Sequence, residues 1–197
     1  MRIVVSTPPE TEPVSVEDAK AQERIDGSAQ DDLVAKMIAA ARGEAERVTG
    51  RSLITQTLKL YMDGWPCEGV IRLPRGPVSE VSSVQYRDAE GTMQTLASSS
   101  YQVSLSGDVA RIAPAYGTSW PSLRGTLDDV VVTYTAGYGD AEDVEPSIVA
   151  AVRMIFGALW ANREDFVTGT IATPLPVASA RLLGKYRLPF VMVPTPA

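Results

Sequence analysis

The sequence predicts an α+β fold, in which helices near both ends of the chain form a helical core around an inserted antiparallel β-rich region. Two observations carry this prediction. Apolar residues recur at three- and four-residue steps within residues 15–50 and again within residues 146–164, which is the helical period. Between residues 51 and 139 the period falls to two, as in half-buried strands.

The N-terminal helical region is predicted to contain two helices. Ser15 precedes the first one, and Asp18 follows three positions later, which is typical of an N-cap. This helix is expected to run to about Arg24. The second begins near Asp31 and ends at Gly50, because glycine is favoured just after a helix.

The central region is predicted to hold about seven short strands, enough for a small antiparallel sheet or barrel. Two hairpin loops, at residues 88–91 and 106–108, contain glycine and separate alternating segments. Trp120 is interpreted as the anchor of a loop on the sheet. The predicted strands cover about residues 54–62, 70–73, 81–86, 92–96, 101–105, 109–112 and 130–135.

The third helix begins at Pro146, a residue suited to the first helical turn, and has almost no polar face before Asn162. Such a helix must be covered on all sides. We therefore predict that it is the central helix of the fold or that part of it faces another subunit, and that the small residues of the second helix let some other helix approach closely. The predicted subunit-packing residues are Ala41, Ala45, Ile148, Val152, Ile155, Phe156 and Trp160.

The two ends of the chain differ from the part between them. Residues 1–14 contain three prolines and are predicted to be an extended arm and not a folded element, while residues 15–165 are predicted to form a single domain. All 24 acidic residues precede residue 166, and three of the 18 basic ones follow it. Residues 166–197 are therefore predicted to be an extended docking tail, with one helical stretch over 177–184. Its predicted docking residues are Arg181, Leu182, Lys185, Tyr186, Arg187 and Phe190.

The composition excludes several classes of chemistry. The chain has no histidine and one cysteine, Cys67, so it lacks the commonest general base and the thiolates of a zinc site. Its net charge of −6 argues against broad nucleic-acid binding. The longest nearly apolar stretch is interrupted by Arg153, so no membrane span is predicted. No catalytic, cofactor-binding or metal-binding residue is assigned, since the acidic run 140–145 favours the start of a helix without any metal.

Four stretches, in this order, carry a resemblance. They are ARGEAERVTGRSLITQ at residues 41–56, LPRGPV at 73–78, VTYTAGYG at 132–139 and WANRE at 160–164. Together with the order of helices and strands, they resemble the head–tail connector (adaptor, or head completion) family of long-tailed phages and gene transfer agents. The resemblance covers about residues 14–165.

The resemblance implies a structural protein of the virion neck, without enzymatic activity or cofactor, that is assembled in the bacterial cytoplasm. It implies a homo-oligomeric ring of about twelve subunits, which binds the portal protein on one side and the next neck protein (stopper) or a tail component on the other. DNA passes through the bore without specific binding. Acidic residues are expected to face it, with Asp88, Glu90 and Asp108 as candidates.

Two other classes of function remain open from the residues alone. One is a different neck protein, namely a stopper or a tail terminator. The other is a hydrolase that uses carboxylates from the loops of the sheet.

Overall fold

The computed structural model describes residues 1–162 and 177–188, and its helices and antiparallel sheets confirm the α+β class. The chain is organised as two compact units. We call residues 1–9 and 55–137 the β unit, and residues 10–54 with the described residues of 138–187 the helical unit.

The β unit contains two antiparallel sheets. The larger has five strands in the order β1-β2-β8-β4-β5, and the smaller has three in the order β3-β7-β6. All seven predicted strands are present. The strands are β1 (Arg2–Thr7), β2 (Gln56–Met62), β3 (Ile71–Leu73), β4 (Val78–Arg87), β5 (Met93–Thr95), β6 (Tyr101–Ser104), β7 (Ala110–Pro114) and β8 (Val130–Ala136).

The core of the β unit comes from the inward positions of both sheets. Leu58 and Leu60 alternate along β2 with partly exposed residues, and β8 supplies Val132 and Tyr134 beside them. Tyr134 is fully buried and donates its hydroxyl proton to the carbonyl oxygen of Pro74 at 2.9 Å. This hydrogen bond satisfies the one polar atom of that side chain inside the core.

Residues 2–7 of the N-terminal arm are extended, but the prediction that they are not a folded element is wrong. This segment is the edge strand β1, which pairs with β2 so that Ile3 lies opposite Leu60. The reason is that Ile3, Val4 and Val5 are β-branched and gain a long-range partner more than fifty residues away. Pro8 follows the strand and cannot extend it.

The helical unit contains four helices at the predicted places: α1 (Val16–Glu23), α2 (Asp31–Thr49), α3 (Pro146–Ala161) and α4 (Val177–Gly184). The Ser15 hydroxyl caps α1 by accepting the backbone N–H of Asp18 at 3.0 Å. Gly50, with a φ of 70°, ends α2 in the left-handed conformation that favours glycine. Among the described helices, none has the length and apolar character needed to cross a membrane.

The interior of the helical unit lies mainly between α2 and α3. The residues predicted to pack between subunits lie in this interior, because the small side chains of α2 let α3 approach closely. Ala41, Ala45, Ile148, Val152, Ile155 and Phe156 are buried, and Trp160 is half-buried against Phe156, with ring centroids 6.1 Å apart. Within the chain they are core residues, and a contact of these side chains with another subunit remains a prediction.

The prediction of an extended tail needs correction where the structure describes it. Helix α4 packs on α2 and α3, and its Leu183 is fully buried. The Arg51 guanidinium also donates from Nε to the carbonyl oxygen of Tyr186 at 2.6 Å. The apolar residues of this stretch therefore fill the core of their own chain. Phe190 lies outside the described residues, and the boundaries at residues 14 and 165 remain predictions.

Packing between α2 and α3 makes a prediction about neighbouring alanines. Ala41 is fully buried and Ala40 is exposed. Ala41→Glu would bury a carboxylate without a partner, so we expect the free energy of unfolding to fall by about 3 kcal/mol or more. Ala40→Glu, the matched control, should change it by less than about 0.5 kcal/mol. Urea unfolding measures both, and equal stabilities of the two variants would contradict the packing described.

The packing of α4 makes a second prediction. Leu183→Ala removes a fully buried side chain, so we expect a loss of about 2–5 kcal/mol in unfolding free energy. Val177→Ala, in the same helix but 68 % exposed, is the control and should have little effect on stability. Thermal unfolding of the full chain measures both. A Leu183→Ala variant as stable as the parent would mean that α4 does not belong to the core.

Candidate functional site

The predicted docking residues of the tail divide into a packed set and an exposed set. Leu182 and Tyr186 are half-buried against the helical core. Arg181, Lys185 and Arg187 are exposed, so α4 and the turn after it present a basic edge to solvent. Lys185 is held there by two contacts, in which its Nζ donates to the Ser147 hydroxyl at 3.2 Å and lies 4.9 Å from the centre of the Tyr186 ring. We call these three basic residues the basic edge.

Helix α3 also exposes apolar side chains that the sequence did not single out. Met154 and Leu159 are 40 % and 38 % exposed, although they belong to a helix that is apolar on nearly every side. Arg153, the charged residue within this helix, is paired with Asp18 of α1 at 2.9 Å. Burial decides which apolar residues of a helix are free for contact, and the sequence pattern alone does not.

In the β unit, a long connection runs from residue 115 to residue 129 between β7 and β8, and two tryptophans anchor it. The rings of Trp65 and Trp120 stack with centroids 4.4 Å apart and an interplanar angle of 9°. Trp120 donates its indole N–H to the Gly69 carbonyl at 2.9 Å, and Trp65 donates to the Pro121 carbonyl at 2.8 Å. The interpretation of Trp120 as a loop anchor is thereby confirmed. We call residues 115–129 the anchored loop.

The carboxylate of Asp129, which is fully buried, closes the end of the anchored loop. It accepts the backbone N–H groups of Gly125 and Thr126, each at 2.7 Å, and the Thr126 hydroxyl. Arg87 lies 3.5 Å away. The hydrogen bond from the Thr126 hydroxyl and those from the backbone hold the pKa of Asp129 below its usual range, with a further contribution from Arg87.

The anchored loop presents two large apolar side chains to solvent. Tyr116 is 100 % exposed and Leu127 is 80 % exposed. Tyr116 occupies a tight turn closed by the backbone N–H of Thr118, which donates to the Ala115 carbonyl at 3.0 Å. Apolar side chains held outward on a fixed frame are typical of protein-binding surfaces, because they contact a partner without first being ordered.

A further feature of the described residues is the arrangement of their metal-ligating and acidic side chains. No group of three or more acidic or cysteine side chains is placed to hold a metal ion within residues 1–162 and 177–188. In the acidic run, the side chains of Asp140 and Asp143 each accept the backbone N–H of the other and so cap a short turn. Cys67 has an exposed thiol. A shallow cavity of about 210 Å³ lies on the small sheet and has no carboxylate in its lining.

The buried carboxylate of Asp129 predicts a dependence of stability on pH. Because its pKa is lowered in the folded chain, Asp129 stabilises the fold above the unfolded pKa of about 3.9, and this contribution is lost as the pH falls further. Asp129→Asn should therefore lower the melting temperature at pH 7, and the difference from the parent should shrink below about pH 4.

Glu80→Gln, at an exposed position of the same unit, is the control for this measurement. Thermal melts from pH 7 to pH 2.5 compare the three chains. A difference between Asp129→Asn and the parent that does not change with pH would contradict the role given to this carboxylate.

Comparison with solved structures bears on the fold of the whole chain. A chain described as the neck of an empty GTA particle computed with C6 symmetry matches with a TM-score of 0.77 and 21 % identity over 100 % of both chains. A chain from the virion of a native gene transfer agent (GTA) particle gives 0.79 and 23 % over 98 % of both. The neck of a native GTA particle computed with C12 symmetry gives 0.72 and 22 % over 100 % of both.

Comparison of sequences bears on the family. No curated protein matches the chain significantly. The family described as phage gp6-like head-tail connector protein matches residues 13–113, which is half of the chain and spans α1, α2 and most of the β unit. The solved structures, all below 25 % identity, agree with this family in fold. The chain therefore belongs to the phage gp6-like head-tail connector family, whose role is structural.

Proposed function

We propose that copies of this chain form a closed ring in the neck of a phage-like particle, beneath the portal, and join the DNA-filled head to the tail. The connector role follows from the family. The observation that supports the ring and its place is the fold match over the full length to chains of particle necks, whose descriptions state C6 and C12 symmetry. A ring of twelve copies is compatible with both symmetries.

Within this ring we assign portal binding to the basic edge, formed by Arg181, Lys185 and Arg187. Three exposed positive charges of an acidic chain, one on the packed helix α4 and two in the turn that follows it, suit an acidic surface on the portal and would set orientation and the rate of encounter. Phe190 and the neighbouring apolar residues remain candidates for additional portal contacts. The opposite face of the ring would receive the next neck protein.

For the bore we keep the proposal of an acidic lining that repels DNA phosphates. The candidates differ in their local roles. Asp88 accepts hydrogen bonds from the Thr92 backbone and the Gln94 side chain, at 2.8 and 2.9 Å, and so holds its own hairpin turn. Glu90 and Asp108 are exposed residues at hairpin tips.

A stopper or a tail terminator is the second candidate, and co-purification with the tail tube instead of the portal would favour it. A hydrolase is not favoured, because the family is structural and the described cavity lacks the facing carboxylates that such an enzyme needs. We therefore propose that the chain has no enzymatic activity.

The test is removal of this chain from cells that produce the particle. We expect filled heads and finished tails that are not joined, and expression of the chain in trans should restore joined particles. Electron microscopy of the co-expressed chain and portal should show a ring on the portal. Normally joined particles in the absence of the chain would overturn the proposal.

The same assay tests the basic edge. Arg181→Glu with Arg187→Glu should lower joined particles by about tenfold, because two favourable charge contacts become repulsive. Both side chains are exposed, so the melting temperature should not change. Lys36→Glu, an exposed charge reversal on α2, is the control. Wild-type joining by the double variant would assign portal binding to another surface.

A further inference from the structure

The exposed Leu127 of the anchored loop is flanked by two carboxylates. The Asp63 carboxylate accepts the backbone N–H of Asp128 at 3.0 Å, and Asp128 itself is 45 % exposed while pairing with Arg2 at 3.1 Å. The hydrogen bonds to Asp129 fix this turn from inside the unit. Leu127 therefore projects as an apolar knob, and among the described residues the carboxylate beside it that carries no ion pair is that of Asp63, since Arg2 pairs with Asp128.

The small sheet of the same unit carries a complementary depression. Its volume of about 210 Å³ is below the 300–1,000 Å³ of common small-molecule sites, but it suits one apolar side chain. Val103, at its edge, is 40 % exposed, and Tyr116 follows β7 just beyond it. The lining consists of Val70, Gln102, Val103, Ser104, Arg111 and Ala113.

The charge around this depression is opposite to that around Leu127. Arg72 of β3 and Arg111 of β7 lie directly opposite each other in the pairing register, and both are exposed. Like charges in such a pair are destabilising unless an anion lies between or beside them. Arg72 has Glu68 at 2.7 Å, whereas no partner of Arg111 occurs within residues 1–162 and 177–188.

We propose that Leu127 of one copy inserts into the depression of the next copy, with the carboxylates of Asp63 and Asp128 facing Arg111. The inference rests on the proposed ring and names the contact that builds it. The occupant is a second copy of this chain, since knob and depression belong to one unit and match in size, polarity and charge. Each partner would remove the exposed apolar surface and the unpaired charge of the other.

The two surfaces involve different residues, so the contact is heterologous. Residues 124–129 directly precede β8 (Val130–Ala136) of the large sheet, whereas the depression is lined by residues of the small sheet, of which Gln102, Ser104, Arg111 and Ala113 share the face opposite to the buried Ile112. A heterologous contact leaves one knob and one depression free in every dimer. It therefore propagates from copy to copy until the rotation closes a ring.

Cysteine cross-linking in assembled particles tests this contact. The full chain would carry Leu127→Cys and Ser104→Cys, the latter directly opposite Arg111 in the pairing register, together with Cys67→Ser, which removes the one native cysteine. A short bismaleimide applied to purified particles is expected to give a ladder of covalent multimers up to the complete ring. Neither single-cysteine chain should give a ladder, because each copy then carries one thiol and can join at most one other copy.

The outcomes separate this inference from the proposed function. A ladder supports both. Dimers alone from the double-cysteine chain would show an isologous contact and overturn the heterologous one. Particles that contain the chain as a neck ring without cross-links would overturn the contact and leave the proposed function intact. Absence of the chain from joined particles would overturn both.

Variants without introduced cysteines test how much the contact contributes to ring assembly. Leu127→Ala should weaken incorporation into rings by about 30-fold, as for a hot-spot side chain, without a change in melting temperature. Arg111→Glu should weaken it in the same way. Leu33→Ala, which removes a leucine of the helical unit that is 41 % exposed, is the matched control and should assemble normally. Normal assembly by both Leu127→Ala and Arg111→Glu would contradict the contact.

Discussion

The helical unit depends on one buried carboxylate, that of Glu46, which is 4 % exposed. It accepts the backbone N–H of Leu53 at 3.0 Å and pairs with Arg42 at 3.2 Å, and Arg42 also binds Glu12 at 2.7 Å. Burial lowers the pKa of Arg42, but its hydrogen bond to Glu12 and the attraction of Glu46 outweigh burial and raise it. A buried charge without partners is costly, so these contacts are kept in the folded chain. They attach Glu12, which precedes α1, and Leu53, which follows α2, to side chains of α2.

With α2 fixed in this way, the other helices have defined places on it. The small residues Ala41 and Ala45 receive α3, and Arg51, just beyond α2, holds the carbonyl of Tyr186 after α4. The basic edge is therefore carried by the packed helix α4 and by the turn after it, which Arg51 holds through the carbonyl of Tyr186. A partner that binds it meets side chains whose backbone is already ordered, which lowers the entropic cost of binding.

Most of the fold was predictable because its periodic patterns are local, and what was missed depends on distant partners. Seven strands and four helices are predicted by the spacing of apolar residues along the chain and by the residues that cap helices. Strand β1 was missed because its pairing with β2 crosses about fifty residues and two prolines follow it. The sequence also marked Ala41 and Phe156 as packing residues, but not whether their partner lies in the same chain. Leu127 had no sequence pattern at all, because one exposed leucine in a loop becomes notable only when its rigid support is known.

The ionisable groups whose pKa values are shifted each support the local structure around them. In an enzyme such groups gather in one cleft, where they exchange protons with a substrate. Among the described residues, those with shifted pKa values are dispersed and serve the fold. Hydrogen bonds from Gln94 and Thr92 lower the pKa of Asp88, the Thr126 hydroxyl lowers that of Asp129, and burial raises that of Tyr134. Asp88 holds the turn before β5, and Asp129 holds the end of the anchored loop. Hydrogen bonds to these two carboxylates therefore order loops that carry exposed side chains. A connector needs this arrangement, since it joins two assemblies through surfaces that must keep their shape.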